Sequence, residues 1–314
     1  NLKTPKVLDL KRLNGKIENF LIKGTNVTTL IKRLAFVDHR GIEVTNLTAV
    51  FTYTKNNILL DKLSIKTLHS EMKGKAELRY KREDFKDFNN KVIFDVQLDK
   101  ASIASNDLNC FYNEFGKNNI FYINTHLLGT LNNFILYDLK LADKNQSEII
   151  GSVNFKNLFG KGNQTFYMKG NFDRIATDYN QVVRVLPRVL GKNLPTMLSK
   201  FGKINLAGAI ELTQKYINAD VYLLSKLGEL ESNFSMQNID EIDKAAYQGT
   251  IQLANFDLGS LLNEKTLGRT TLNLEIDGSG FTQKLLNTKL KGTIDKLYFN
   301  GYNYQSITVD GSMK

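Results

Sequence analysis

The sequence predicts a mostly-β protein: an elongated, curled antiparallel sheet whose apolar side forms a groove, with a few short helices. Three observations predict it. Apolar and polar residues alternate strictly over long stretches, a glycine recurs inside those stretches, and only three prolines occur in 314 residues. Proline cannot donate to a ladder and is excluded from central strands, so a chain nearly free of it can pair without interruption.

Alternation with a period of two is the mark of a strand with one dry and one wet face. Met72, Gly74, Ala76, Leu78 and Tyr80 fall on one side, and Lys73, Lys75, Glu77, Arg79 and Lys81 on the other. Ile204, Leu206, Gly208, Ile210 and Leu212 repeat the scheme, as do Val92, Phe94, Val96 and Leu98, and Leu272, Leu274 and Ile276. With about 250 residues in strands of about 10, roughly 25 strands at about 4.8 Å make a sheet on the order of 100 Å long.

Glycine recurs in register with the apolar residues at positions 15, 74, 129, 151, 170, 208, 249, 278, 292 and 311. The context is apolar-x-Gly-x-apolar, as in Ile149-Ile150-Gly151-Ser152-Val153 and Leu290-Lys291-Gly292-Thr293-Ile294. Many spacings lie near multiples of about 20 residues, the length of one hairpin, so the chain reads as a degenerate hairpin repeat. A strand glycine costs entropy and packs nothing, which demands a reason. Either the glycines let the sheet bend, or Gly74, Gly151, Gly208, Gly249, Gly292 and Gly311 keep a groove floor clear; ordinary bulges in a sandwich are the alternative to both.

Helices are expected in few places. Val27–Phe36, preceded by Thr25 and Asn26 as caps, carries Leu30, Ile31 and Leu34 at helical spacing. Tyr179–Leu190 has its apolar residues on one side and Arg184 and Arg188 on the other, with Asp178 as cap, Pro187 as kink and Gly191 as stop. Pro195 then opens a further turn or two ending near Gly202. This helical insert, around 178–201, interrupts an otherwise continuous segment over 1–314 and reads as a plug or lid on the sheet.

The net charge of +10 invites nucleic acid as partner, but Lys and Arg are scattered singly and build no basic stripe. No nucleic-acid partner is expected; attraction to anionic surfaces is. The single cysteine, Cys110, lies beside Leu108 and Phe111 and reads as a small buried hydrophobe. No apolar run is long enough to span a membrane as a helix. The chain begins at Asn1 rather than methionine, as a processed or excised segment would.

Chemistry-bearing motifs are missing. His39, His69 and His126 have no ligand spacing around them, so no metal site is predicted. No Gly-x-Ser-x-Gly elbow occurs. Gly160-Lys161-Gly162 and Gly278-Ser279-Gly280 lead into no phosphate-binding fingerprint and read as turns. Asp95, Asp99, Asp138 and Asp143 read as solvated. The chain is therefore expected to be no enzyme, with no catalytic residues and no cofactor.

The alternating glycine-bearing strands, the segment Asn255-Phe256-Asp257-Leu258-Gly259-Ser260-Leu261-Leu262 and the closing Phe299-Asn300-Gly301-Tyr302-Asn303-Tyr304 resemble the AsmA-like envelope proteins. The resemblance is to their TamB (translocation and assembly module) branch, in a Bacteroidota-like form. It implies a long, curled sheet with an apolar groove along it (a "β-taco"), a periplasmic bridge with an inner-membrane anchor outside this segment, an outer-membrane barrel partner, and phospholipid or another acyl-chain lipid as cargo. It also implies a role in outer-membrane protein assembly. Read with the alternation, it makes Met72, Leu78, Tyr80, Val153, Phe155, Leu206, Ile210, Ile251, Leu274 and Ile294 the groove lining. About 14 methylenes leaving water supply on the order of 10 kcal/mol, so lipid carriage needs no catalytic group. The alternatives are a scaffold that pairs client strands at open sheet edges, its candidate edges being Leu8–Phe20 and Thr308–Met313, and an extracellular solenoid or adhesin.

Overall fold

A computed structural model describes residues 10–111, 115–158, 165–185, 187, 195–280 and 286–313. Strands account for 69% of it and helical turns for 12%, which makes the protein mostly β. The chain divides into two compact units, Asn1–Asn145 with Arg184–Lys192, and Gln146–Val183 with Asn193–Lys314.

The first unit is an antiparallel meander of β1 (Leu10–Lys23), β2 (Asn26–Asp38), β3 (Glu43–Thr54), β4 (Asn57–Thr67), β5 (Glu71–Arg79), β6 (Ile93–Ala104), β7 (Ile120–Gly129) and β8 (Phe134–Asp143). Each strand pairs with the next in sequence. A 3-10 turn, Arg82–Asp87, and α1 (Phe88–Lys91) connect β5 to β6, and α2 (Ser105–Leu108) follows β6. The second unit repeats the plan with β9 (Glu148–Lys156), β10 (Tyr167–Asp178), β11 (Lys203–Thr213), β12 (Tyr216–Ser225), β13 (Gly228–Gln237), β14 (Ala246–Asp257), β15 (Leu267–Ser279), β16 (Asn287–Phe299) and β17 (Tyr302–Met313). Its helical pieces are the first five residues of α3 (Tyr179–Val185), a 3-10 turn at Thr196–Phe201, another at Ile242–Lys244, and α4 (Leu258–Leu262). Among the described residues no pairing joins the first strand of either unit to its last, so each meander is open. Among the described residues seventeen strands of 9 to 14 residues stand where the sequence predicts about 25 of about 10, turns included. Bulges lengthen several of them, because they let one strand outrun its alternation.

At each bulge one extra residue is inserted and the inward parity switches. Lys62 takes φ +52° between Leu60 and Leu63, both of which pack in the core of the first unit. Asn255 takes φ +46° between Leu253 and Phe256, which are 7% and 1% exposed. The two cores follow: Ile31, Val44, Leu47, Ala49, Leu63 and Ala76 in the first unit, and Leu227, Leu253, Phe256 and Leu272 in the second.

The turns use the chemistry their geometry demands. Asn300 and Gly301 have φ +49° and +86° and close β16 onto β17 as a two-residue hairpin, since both central residues of such a turn need positive φ. The helix expected over Val27–Phe36 is instead β2, paired to β1 and β3. Val27, Thr28, Thr29 and Ile31 are β-branched and suit a pleated surface, and two ladders outweigh the local spacing of Leu30, Ile31 and Leu34. The expected helix after Asp178 forms as α3, with the Asp178 carboxylate accepting the Gln181 N–H at 2.9 Å. It ends at Val185, two residues before the Pro187 turn; Leu186, Arg188–Gly191 and Gly160-Lys161-Gly162 lie outside the described residues. The turn after Pro195 ends at Gly202, with φ +65°.

Helix α4 begins at a side-chain cap. Asp257 accepts the Ser260 N–H at 2.8 Å and the Ser260 hydroxyl at 2.7 Å, and these bonds, the backbone one foremost, lower its pKa. A depressed carboxylate stabilises the fold above the unfolded aspartate value and loses that contribution as pH falls through the folded one. Asp257→Ala is expected to cost about 1 kcal/mol at pH 7. In urea titrations the gap between variant and wild type should narrow as pH falls below the ordinary aspartate range and through the lowered Asp257 value; a gap independent of pH would contradict the capping role.

Candidate apolar binding face

All ten recurrent glycines lie within strands. At Gly208, on β11, φ is +128°, and a Cβ would overlap the Asp220 carbonyl oxygen of the neighbouring strand; at Gly249, on β14, φ is +154°, and the obstacle is the Asn233 carbonyl. The relation recurs at Gly74, Gly151 and Gly292 against Gln97, Asn171 and Asn273, each obstacle being the carbonyl that precedes the cross-strand partner. Here two backbones approach closely in a conformation that side chains disfavour, so the strand path itself requires glycine. Gly311 differs: it is exposed, with open space where a Cβ would stand. Phe172 pairs with Gly151 on one side and Gly208 on the other, and its ring covers Gly170, so an aromatic side chain fills part of what the glycines vacate.

The ten predicted lining residues divide between the units. Met72, Leu78 and Tyr80 belong to the first, and the other seven to the second. Tyr80 and Val153 are buried by the protein itself, at 8% and 6% exposure. The Phe85 ring closes over Tyr80 edge-on at 4.7 Å, and burial, with Tyr53 beside it, raises the Tyr80 phenol pKa. Leu78, Phe155, Leu206 and Ile210 are half-buried. So are Ile251, Leu274 and Ile294, which pack together against the Leu253 core.

Met72 reaches an apolar hollow, a cavity of about 300 Å³ walled also by Phe36, Ile42, Val44, Ile65 and Ile103. The chain from α2 to Phe111 borders it. Asp107 of α2 accepts the Thr67 and Ser70 hydroxyls at 2.6 and 2.5 Å, fastening this segment to the β4–β5 turn. Both hydroxyls are therefore committed to a carboxylate, and no histidine lines the cavity, so it offers shape and dryness rather than a nucleophile. Residue 111 ends the segment over the β2–β3 turn, where the Arg40 guanidinium stands 4.6 Å from the Phe111 ring centre. A second hollow, about 510 Å³ near Gly208, is walled by Phe172, Ala207, Ala209, Val221 and Tyr222 and bordered by Asp173, Asp220 and Glu231.

Two positions correct the sequence reading. Cys110 is exposed rather than buried, because it follows α2 on a turn beyond the strands and Leu108 takes the inward place. Asp143 is 9% exposed rather than solvated: at the end of β8 it accepts the Arg184 guanidinium at 3.2 Å and the Asn145 N–H at 2.7 Å. The sequence reading also missed the segment 105–111 that borders the Met72 cavity. Leu108 and Phe111 at i, i+3 were its only signal.

Among the described residues no cluster of three or more His, Cys, Asp and Glu side chains could hold a metal ion, and no helix is long and apolar enough to cross a membrane. No family model, curated protein or solved structure matches the chain.

Proposed function

We propose that the apolar side of these strands carries acyl-chain lipid, phospholipid in the first instance, as a segment of a bridge between two membranes. One observation carries the reading: the face has an apolar-walled cavity of about 300 Å³ at Met72, and most predicted lining positions are half-buried rather than packed shut. Burying a methylene there is worth about 0.8 kcal/mol wherever it lies, so a chain can slide without a large barrier between positions. The resemblance to TamB and the AsmA-like proteins adds the setting: the periplasm, an inner-membrane anchor elsewhere in the protein, and an outer-membrane barrel partner. The reading requires no catalytic residue and no cofactor.

Photo-crosslinking residues at Met72, Leu206 and Leu274 are expected to capture lipid in cells, and those at the exposed positions Lys73, Asn205 and Asn273 are not. Mass spectrometry of the purified protein should find co-purified lipid. Equal capture on both sets, or none on either, would end the proposal.

A second reading, a scaffold assisting outer-membrane protein assembly, is favoured by β17. Among the described residues this strand pairs with β16 alone, and it is exposed along most of its length, with Tyr302 at 69%. An open edge offers backbone donors and acceptors to an incoming strand. Crosslinks from β17 to nascent barrel proteins, without lipid on the apolar face, would favour it.

A further inference from the structure

We propose that the Met72 cavity is a seat for one acyl chain with an anionic head, and that Arg40 is the residue that receives the head. This rests on the reading that the apolar face accepts acyl chains, and adds which kind of amphiphile and where.

The volume decides the number of chains. About 300 Å³ is the lower end of the range for small-molecule pockets, enough for one chain, so a two-tailed lipid would seat one of its tails here. The walls decide the body of the ligand: Phe36, Ile42, Val44, Ile65, Met72 and Ile103 offer nothing to a polar group. The polar groups at the boundary decide the head. Asp107 already accepts two hydroxyls, and its negative charge repels an anion from the β4–β5 side. On the β2–β3 side the Asp38 carboxylate also borders the cavity, but one of its oxygens accepts the Arg40 and Ile42 N–H groups at 2.9 Å each and the Arg40 guanidinium beside it offsets its charge. The Arg40 side chain meets the other oxygen only at 3.8 Å and otherwise lies against the Phe111 ring. An aromatic face and one long ion pair leave a guanidinium fork that suits a carboxylate or phosphate. It stands beside Asp38 and Phe111, which both border the cavity. A chain seated among the six walls would bring its anionic head to this fork.

The experiment uses the full chain and titrates sodium decanoate, sodium dodecanoate and uncharged dodecanol by calorimetry. Each added methylene should tighten binding about fourfold, and dodecanoate should bind tighter than dodecanol. Arg40 is half exposed, so Arg40→Gln should weaken dodecanoate only about fivefold, with dodecanol unchanged. Met72→Trp, and independently Ile103→Phe, should fill the cavity and abolish this binding while circular dichroism and the melting temperature stay near wild type. The only cysteine, Cys110, is exposed beside Phe111, so an environment-sensitive dye there should report a saturable blue shift with dodecanoate.

Dodecanol binding as tightly as dodecanoate, with no effect of Arg40→Gln, would overturn the head-group assignment. Dodecanoate binding unchanged in both folded cavity-filling variants would overturn the seat, and lipid crosslinks at Leu206 and Leu274 would then show that the wider reading survives. If the wild type binds no chain by calorimetry and captures none in cells, both fail together.

Discussion

Gly249→Ala is expected to destabilise the protein by about 3 kcal/mol, far above the usual cost of a surface substitution. Two effects add. The residue would be held at φ +154°, where an L side chain is strained. Its methyl would also overlap the Asn233 carbonyl oxygen and stand 2.8 Å from the Phe234 Cα. Both obstacles are backbone, held by the β13–β14 ladder, so neither can step aside as a flexible side chain would. A larger or β-branched residue at the site should cost more still. Two controls separate the terms. Gly24 has φ +63° with nothing near, so Gly24→Ala should cost about 1 kcal/mol from conformation alone. Gly311 has open space and no positive φ, so Gly311→Ala should fall within about 0.5 kcal/mol of wild type. Urea denaturation followed by circular dichroism reads all three. If the three alanine variants have the same midpoint, the close-approach explanation is wrong.

Phe256→Ala should cost about 4 kcal/mol, the loss of a fully enclosed aromatic side chain plus the cavity left behind. Phe256 is 1% exposed and packs with Leu227, Leu253 and Leu272, its ring 6.0 Å from that of Phe201. It thus connects α4 and the 196–201 turn to the end of the second unit's strands. The Lys200 ammonium reinforces the connection by donating to the Leu261 carbonyl at 2.7 Å and to Asn263 at 2.6 Å. Hydrogen exchange should show protection falling first in 196–201 and 258–262, whose helical turns are too short to persist without this packing. A loss below about 1 kcal/mol would mean that the site collapses around the missing ring.

Much of the fold was legible from residues. The alternation at 72–80 and 204–212 fell on β5 and β11, and the recurrent glycines all fell inside strands. The Asp178 cap and the stop at Gly202 were legible too, because capping is a local bond between near neighbours in the chain. The bulges were not. Leu60-x-x-Leu63 and Leu253-x-x-Phe256 break the period of two, and nothing within them distinguishes a bulge from the end of a strand. The partner strand makes that choice, by offering one residue opposite two.

The candidate site was half legible for the same reason. Periodicity put Met72 on the apolar side, but the segment 105–111 that borders its cavity is fixed by hydroxyls 37 and 40 residues earlier in the chain, at Ser70 and Thr67. Asp143 looked like a surface acid because its partner, Arg184, lies 41 residues away.

The sequence by itself determined that the chain forms long antiparallel strands with a dry and a wet side, because side-chain direction alternates along any extended backbone whatever it pairs with. Only the tertiary structure decided where that side is shut and where it is left hollow. Burial is a property of what stands opposite: a ring over Tyr80 closes one end of β5, and the segment from α2 onward, beside Met72, leaves room at the other.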